Sequence, residues 1–173
     1  AAERWQAGRA ESPVPSEATH KTRDGTPIRM LGSCGSSGEA DLVRTFGMEG
    51  IGLFRTELQF LVDEGRPRED DLVRSYKQIV ESQQGRPVSF RLLDVAAATL
   101  DSSAGRERAP ERNPALGRRG VRGLLANQEV LRMQIRAILR AACSVEEVAI
   151  LVPFITGVPE LQRIKSAVIE ERL

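Results

Sequence analysis

The sequence predicts an α/β fold in which short strands alternate with helices along one parallel sheet. Three observations carry this reading. From Ile28 onward, short apolar runs alternate with stretches whose apolar residues recur at helical spacing, the pattern of successive βα units. Glycine and proline punctuate those periods, with Pro67 at one expected helix start and Gly47 and Gly85 past expected helix ends. Hydrophobic residues make up 40% of the 173 residues and aromatic ones only 4%, which leaves the core to aliphatic side chains. That length suits one domain, or part of one, and falls short of the roughly 250 residues of a complete (β/α)₈ barrel.

Residues 1–27 read as a linker. They carry few apolar positions, the loop-like run Ser12-Pro13-Val14-Pro15-Ser16 and an expected turn at Asp24-Gly25-Thr26-Pro27. The first unit has a strand near Ile28 to Leu31, a loop at Gly32-Ser33-Cys34-Gly35, and a helix opened by Ser36 with Glu39 three residues on. Leu42, Val43 and Phe46 are its expected buried stripe. The second unit has a strand over residues 50–55, a loop through Phe60 to Gly65, and a helix whose Leu72, Tyr76, Ile79 and Val80 share one face. In the third, a strand over residues 87–94 leads through a charged loop, residues 101–112, to helical sequence from about Leu116 to Ala142. Leu131, Ile135, Ile138 and Leu139 mark its buried side. The fourth joins a strand from Val148 to Val152 to a helix from about Pro159 carrying Leu161, Ile164 and Val168. Right-handed crossovers favour a parallel sheet in the order 1-2-3-4. Its two outer strands would have unpaired edges, so self-association or a covering segment is expected.

Composition excludes several functions. A net charge of +1 provides no long-range field for nucleic acid or an anionic membrane. No apolar run reaches membrane-spanning length, and the polar start AAERWQAGRA is unlike a signal peptide, which suggests a cytoplasmic location. Cys34 and Cys143 lie in no Cys/His ligand pattern, so no metal ligands are assigned. Lys21, Lys77 and Lys165 are the only lysines among 25 basic residues. That arginine bias is compatible with genome composition and also with two-pronged binding of phosphate or carboxylate.

In a parallel α/β array, ligands bind where the carboxyl ends of the strands and their following loops meet. Arg55 ends the second strand, Arg91 lies in the third with Asp94 just beyond it, and Arg119 opens the following helical stretch. Three guanidinium groups gathered there repel one another unless an anion or acidic partners compensate. A polyanionic small ligand is one occupant; Glu57 for Arg55 and Asp94 for Arg91 are the plainer alternative. His20, the single histidine, sits in a polar linker and reads as a bystander, and Cys34 reads as a small packed residue. With one histidine there is no Ser/His/Asp arrangement. Gly47-Met48-Glu49-Gly50-Ile51-Gly52 precedes a strand, where a phosphate loop would follow one, so its glycines are assigned backbone roles.

The segment Gly-Met-Glu-Gly-Ile-Gly-Leu-Phe-Arg-Thr-Glu, residues 47–57, closely resembles a motif of the phosphoenolpyruvate-utilising enzymes: enzyme I of the phosphotransferase systems, pyruvate phosphate dikinase and phosphoenolpyruvate synthase. The similarity extends to Phe90-Arg91-Leu92-Leu93-Asp94, to Asn113-Pro114-Ala115-Leu116-Gly117-Arg118-Arg119-Gly120, to residues 134–141 and to Leu151-Val152-Pro153-Phe154. The resemblance implies that residues 28–173 are the first four βα units, the N-terminal half, of a phosphoenolpyruvate-binding TIM barrel. It implies that Arg55, Arg91 and Arg119 bind the phosphate and carboxylate of phosphoenolpyruvate. For a complete parent it implies Mg²⁺, an HPr-like phosphocarrier protein as partner and a homodimer. The short connection from Asp94 to Asn113 favours enzyme I, whereas the wording Arg-Leu-Leu-Asp and Arg-Gly-Val-Arg leans toward the dikinase.

One departure bears on catalysis. Where the enzyme I pattern has Gly-Gly-Asp-Lys, this chain has Ala96-Ala97-Ala98-Thr99. The family's magnesium-binding carboxylates and its cysteine acid belong to the second half of the barrel, and its phosphorylated histidine to a preceding domain. No catalytic residue is therefore assigned here, and the isolated chain is expected to be inactive. A phosphotransferase part and an impaired regulatory or dimerisation module both remain open.

Overall fold

The computed structural model describes residues 20–62, 67–96, 112–113, 115–143 and 147–172. Most of the expected linker, Ala97 to Thr99 and nearly all of the charged loop lie outside the described residues. So do the last residues, 63–65, of the expected second-unit loop.

Four parallel strands form one sheet in the order β1-β2-β3-β4: β1 Gly32–Cys34, β2 Ile51–Arg55, β3 Val88–Arg91 and β4 Val148–Leu151. The helices are α1 Ser37–Thr45, α2 Glu57–Val62, α3 Glu69–Ser82, α4 Val121–Ala126, α5 Gln128–Ala142 and α6 Val158–Glu171. The expected parallel order is therefore present. Val88 and Phe90 of β3 are buried, whereas Ser89 and Arg91, which alternate with them, are only half-buried, as strand alternation requires.

The core lies against the helices that pack on this sheet. All four expected residues of α3, Leu72, Tyr76, Ile79 and Val80, are buried, and α3 packs on the Leu131, Ile135 and Ile138 face of α5. The core is mostly aliphatic, as expected, and holds Phe54, Phe60, Tyr76 and Phe90 among its buried residues. The Phe90 ring lies 5.5 Å edge-on from Phe54 and 4.8 Å from Tyr76. Glycine permits a close approach beside the sheet: a Cβ on Gly50, at φ +146, would sit 2.5 Å from the Pro87 carbonyl oxygen. That oxygen accepts the Ile51 N–H of the β2–β3 ladder.

Several element boundaries differ from expectation. β1 is Gly32–Cys34, not residues 28–31; Ile28, Met30 and Leu31 are more than 40% exposed, while Gly32 and Cys34 are buried. Gly32 lies so close to Val43 that a Cβ would be 2.5 Å from its methyl group, so the apolar residues just before it mark no buried strand. Helix α1 has the predicted Ser36 cap, which accepts from the Glu39 N–H, while the Glu39 carboxylate accepts from Gly35 N–H instead of Ser36. It presents Ala40 and Val43 to the core and leaves Leu42 and Phe46 outside. Residues 57–62 are helical where a loop was expected. The helix expected from Leu116 to Ala142 is two helices: Leu116 lies outside both at 78% exposure, and Asn127 separates them by capping α5 through the Val130 N–H. In α6, Ile164 and Ala167 are buried while Leu161 is exposed.

Candidate functional site

The carboxyl ends of β2 and β3 bring the first two expected arginines side by side. Arg55 and Arg91 are Cα partners in the parallel ladder. Arg119 joins them through an isolated antiparallel bridge between its backbone and that of Ala96. Gly120, at φ +55, has room for no Cβ without approaching the Pro153 carbonyl oxygen to 3.0 Å, and that same oxygen accepts the Val121 N–H at 3.1 Å. Glycine here lets α4 start directly beside the end of β4.

The expected acidic compensation is present: Asp94 faces Arg91 as expected, whereas the pairing of Glu57 differs. Glu57 pairs with Arg91, not Arg55: its Oε1 accepts from Arg91 Nε at 3.0 Å and lies 2.8 Å from NH2. Arg55 instead faces Glu39 at 3.7 Å. Asp94, whose side chain is only 6% exposed, takes Arg119 Nε at 2.8 Å and NH2 at 3.4 Å, with Arg91 NH1 3.7 Å away. Hydrogen bonding to Asp94, and then its charge, raises the Arg119 pKa further above its already high value. Three guanidinium and three carboxylate groups thus cancel formally. A guanidinium carries five N–H donors, so pairing with a carboxylate does not exhaust its capacity to bind an anion.

Two further contacts shape this surface. The Arg119 guanidinium lies 5.2 Å from the centre of the Phe154 ring, within cation–π range. Phe154 has φ +60, a costly conformation for an aromatic residue, and its carbonyl oxygen receives Arg122 NH1 at 3.4 Å. Arg122 also donates to the carbonyls of Gly117 and Ala115, which ties the segment before α4 to the loop after β4.

Beneath the arginines is a buried polar group that the sequence analysis did not single out. Thr56, Tyr76 and Gln134 are fully buried and linked through the Gln134 amide. Burial pushes the Tyr76 phenol pKa well upward, against the lowering effect of its hydrogen bonds. One signal was available: Gln134 lies between Leu131 and Ile138 on an otherwise apolar helical stripe. Glu57, directly after the Arg55-Thr56 pair, reaches across to the arginine of the neighbouring strand.

Cys34 is 1% exposed and its thiol pKa is raised, chiefly by burial and then by Glu39, in keeping with a packed residue. His20 is half-buried, and its carbonyl accepts the Ile28 N–H across the turn closed by the Lys21–Pro27 bridge. Among the described residues, no group of three or more His, Cys, Asp or Glu is placed to hold a metal ion. The carboxylates nearest Arg91 and Arg119 are engaged by guanidinium groups, so these residues do not fit a Mg²⁺ site. No helix among the described residues is long and apolar enough to cross a membrane.

Residues 9–173 match the family described as PEP-utilising enzyme, PEP-binding domain. The chain is similar to the Phosphoenolpyruvate-protein phosphotransferase of Haemophilus influenzae, with 37% identity over 148 residues, 85% of this chain and 25% of that protein. It is 36% identical over 153 residues to the Multiphosphoryl transfer protein of Xanthomonas campestris pv. campestris, covering 88% of this chain and 17% of the relative. A Phosphoenolpyruvate-protein phosphotransferase of Staphylococcus aureus is 31% identical over 171 residues, 98% of this chain and 29% of the relative. The chain therefore spans less than a third of each of these relatives.

Proposed function

The chain belongs to the PEP-binding domain family of PEP-utilising enzymes, and from that membership we propose that it is the phosphoenolpyruvate-binding part of a phosphotransferase-system enzyme I. In the complete parent, phosphate would pass from phosphoenolpyruvate to a histidine outside this chain and then to an HPr-like carrier. Residues 28–173 would be the first four βα units of a TIM barrel and residues 1–27 its linker. Mg²⁺, which assists by offsetting phosphate charge when bound, would be held by residues outside this chain. Dimerisation and a cytoplasmic location belong to the same reading.

The observation that carries the reading is the meeting of Arg55, Arg91 and Arg119 at the carboxyl end of the sheet, with Arg91 and Arg119 both directed toward Asp94. Glu57 and Asp94 offset the charge of the two guanidinium groups and orient them, so their remaining N–H donors are arranged before a ligand arrives. A phosphate and a carboxylate on one small molecule match such paired planar donors. In the complete parent, Arg91→Ala should weaken phosphoenolpyruvate binding by a few kcal/mol, about the cost of removing one partner of a hydrogen-bonded charge pair. Lysine should restore little of that loss. Unchanged calorimetric affinity in a folded Arg91→Ala protein would remove Arg91 from the site.

A second reading, an impaired regulatory or dimerisation module, is favoured by Ala96, which bridges to Arg119 where the resembling pattern begins Gly-Gly-Asp-Lys. The two readings separate on restoring Gly-Gly-Asp-Lys at residues 96–99 in the complete parent. A rise in histidine phosphorylation of about tenfold or more, the worth of one charge-assisted hydrogen bond, supports impairment. An equally fast natural sequence supports the phosphotransferase.

A further inference from the structure

We propose that Gln134 is a positioning residue. Acting with Thr56, it sets the backbone that carries Arg91 and Asp94, and its importance for ligand binding rests on the reading of Arg91 given above. Strand β3 ends at Arg91, and beyond Leu92, which still bonds to the end of β4, the chain leaves the ladder. One backbone group on each of the four residues 91–94 is nevertheless held, each by a different residue. The Arg91 carbonyl accepts from Thr56 Oγ1 at 3.0 Å, and Leu92 N–H donates to the Leu151 carbonyl at 2.9 Å. Leu93 N–H donates to Gln134 Oε1 at 2.9 Å, and Asp94 N–H donates to Glu57 Oε1 at 3.1 Å.

Gln134 joins two of these anchors. Its Nε2 donates to Thr56 Oγ1 at 2.9 Å and lies 3.4 Å from the Tyr76 hydroxyl. The orientation of the amide follows from its neighbours, since Leu93 N–H is a donor only and must face the amide oxygen. Having accepted from Gln134, the Thr56 hydroxyl has its single proton available for the Arg91 carbonyl. One fully buried side chain on α5 thereby aligns the end of β2, which carries Arg55, with the end of β3, which carries Arg91. Burial strengthens this alignment because the unmade alternative is an unsatisfied polar group without water. A glutamine needed only for packing would not require its amide oxygen to meet the segment after Arg91 while its nitrogen meets Thr56 beside Arg55.

The test uses hydrogen exchange and ¹⁵N NMR on this chain, following the Arg91 Nε–H and the Leu93 and Asp94 amides together with thermal stability. In Gln134→Met and Thr56→Val, the Leu93 and Asp94 amides should exchange roughly tenfold faster and the Arg91 Nε–H signal should shift. Val88 and Phe90 amides, inside the ladder, should retain their protection. Thr56→Ser, which keeps the hydroxyl, should preserve the native pattern. Tyr76→Phe removes the other neighbour of the amide and should lower stability without moving the Arg91 signal. If Gln134→Met and Thr56→Val merely lower stability, with uniform loss of protection or an unmoved Arg91 signal, the proposal is overturned. Whether phosphoenolpyruvate shifts the wild-type Arg91 signal is a separate titration. Failure there counts against the ligand reading and leaves the exchange result to judge Gln134.

Discussion

Replacing Arg91 by methionine probes the energetic centre of the site without reference to any ligand. The Arg91 and Glu57 side chains are only 22% and 15% exposed, and one carboxylate oxygen, Oε1, receives both Nε and NH2. The other oxygen, Oε2, is buried without a hydrogen-bond partner among the described residues. Arg91→Met would therefore leave Glu57 with the Asp94 N–H as its remaining donor among the contacts described here. Removing one member of a fully buried pair costs about 3–5 kcal/mol; with solvent reaching both side chains, about 2 kcal/mol is expected. Glu57→Gln should cost less, about 1 kcal/mol, because a neutral acceptor remains. The double variant should lose less than the sum, giving a coupling energy on the order of 1–2 kcal/mol. Urea unfolding of the four proteins measures it, provided the dependence on denaturant is unchanged. Additivity within about 0.5 kcal/mol would show that the contact does not stabilise the fold and would refute the argument from burial.

Three other outcomes follow from the structure. Glu69 is held below the usual carboxylate range chiefly by its hydrogen bond with Arg136, and Glu171 chiefly by its hydrogen bond with Arg132. Because their folded pKa values are depressed, their stabilisation is present above the unfolded pKa and is lost as pH falls through the folded one. The Glu69→Gln and Glu171→Gln proteins should thus melt below wild type at neutral pH and converge with it in acid; parallel Tm curves would contradict this. Gly50→Ala should cost about 3 kcal/mol or more, because its Cβ would press on the Pro87 carbonyl within the ladder. Gly85→Ala, at φ +84 with nothing within 4 Å, should cost about 1 kcal/mol, so equal losses in thermal melts would exclude the steric argument. In the native protein, a thiol reagent should modify exposed Cys143 readily, whereas buried Cys34 should react only after unfolding. Rapid modification of both would show that β1 opens.

Much of the scaffold was legible because hydrophobic period is a local property. Leu72, Tyr76, Ile79 and Val80 share a face at any helix position, and burial followed for all four. The Ser36 cap and the order of parallel strands were readable for similar reasons of local chemistry and crossover handedness. Boundaries were less legible where a residue's role depends on what lies opposite. Ile28 and Leu31 have the composition of a strand, yet the ladder begins at Gly32, where the absence of a side chain admits Val43. Leu116 looks helical by composition, but Gly120 and the carbonyls gathered by Arg122 hold its segment outside the helix.

By itself the sequence determined the α/β class, the strand order and the family resemblance, including the strand-end positions of Arg55 and Arg91. The first two rest on local pattern and crossover handedness and the third on motif residues, all readable without knowledge of distant neighbours. Only the tertiary structure decided that Glu57 pairs with Arg91, that Arg55 faces Glu39, and that Asp94 engages Arg119. It also decided that Gln134, 41 residues beyond Leu93, hydrogen-bonds that backbone. Charge pairing and buried hydrogen bonding depend on distances of a few ångströms, and residues far apart in sequence acquire those distances only when the helices close over the sheet.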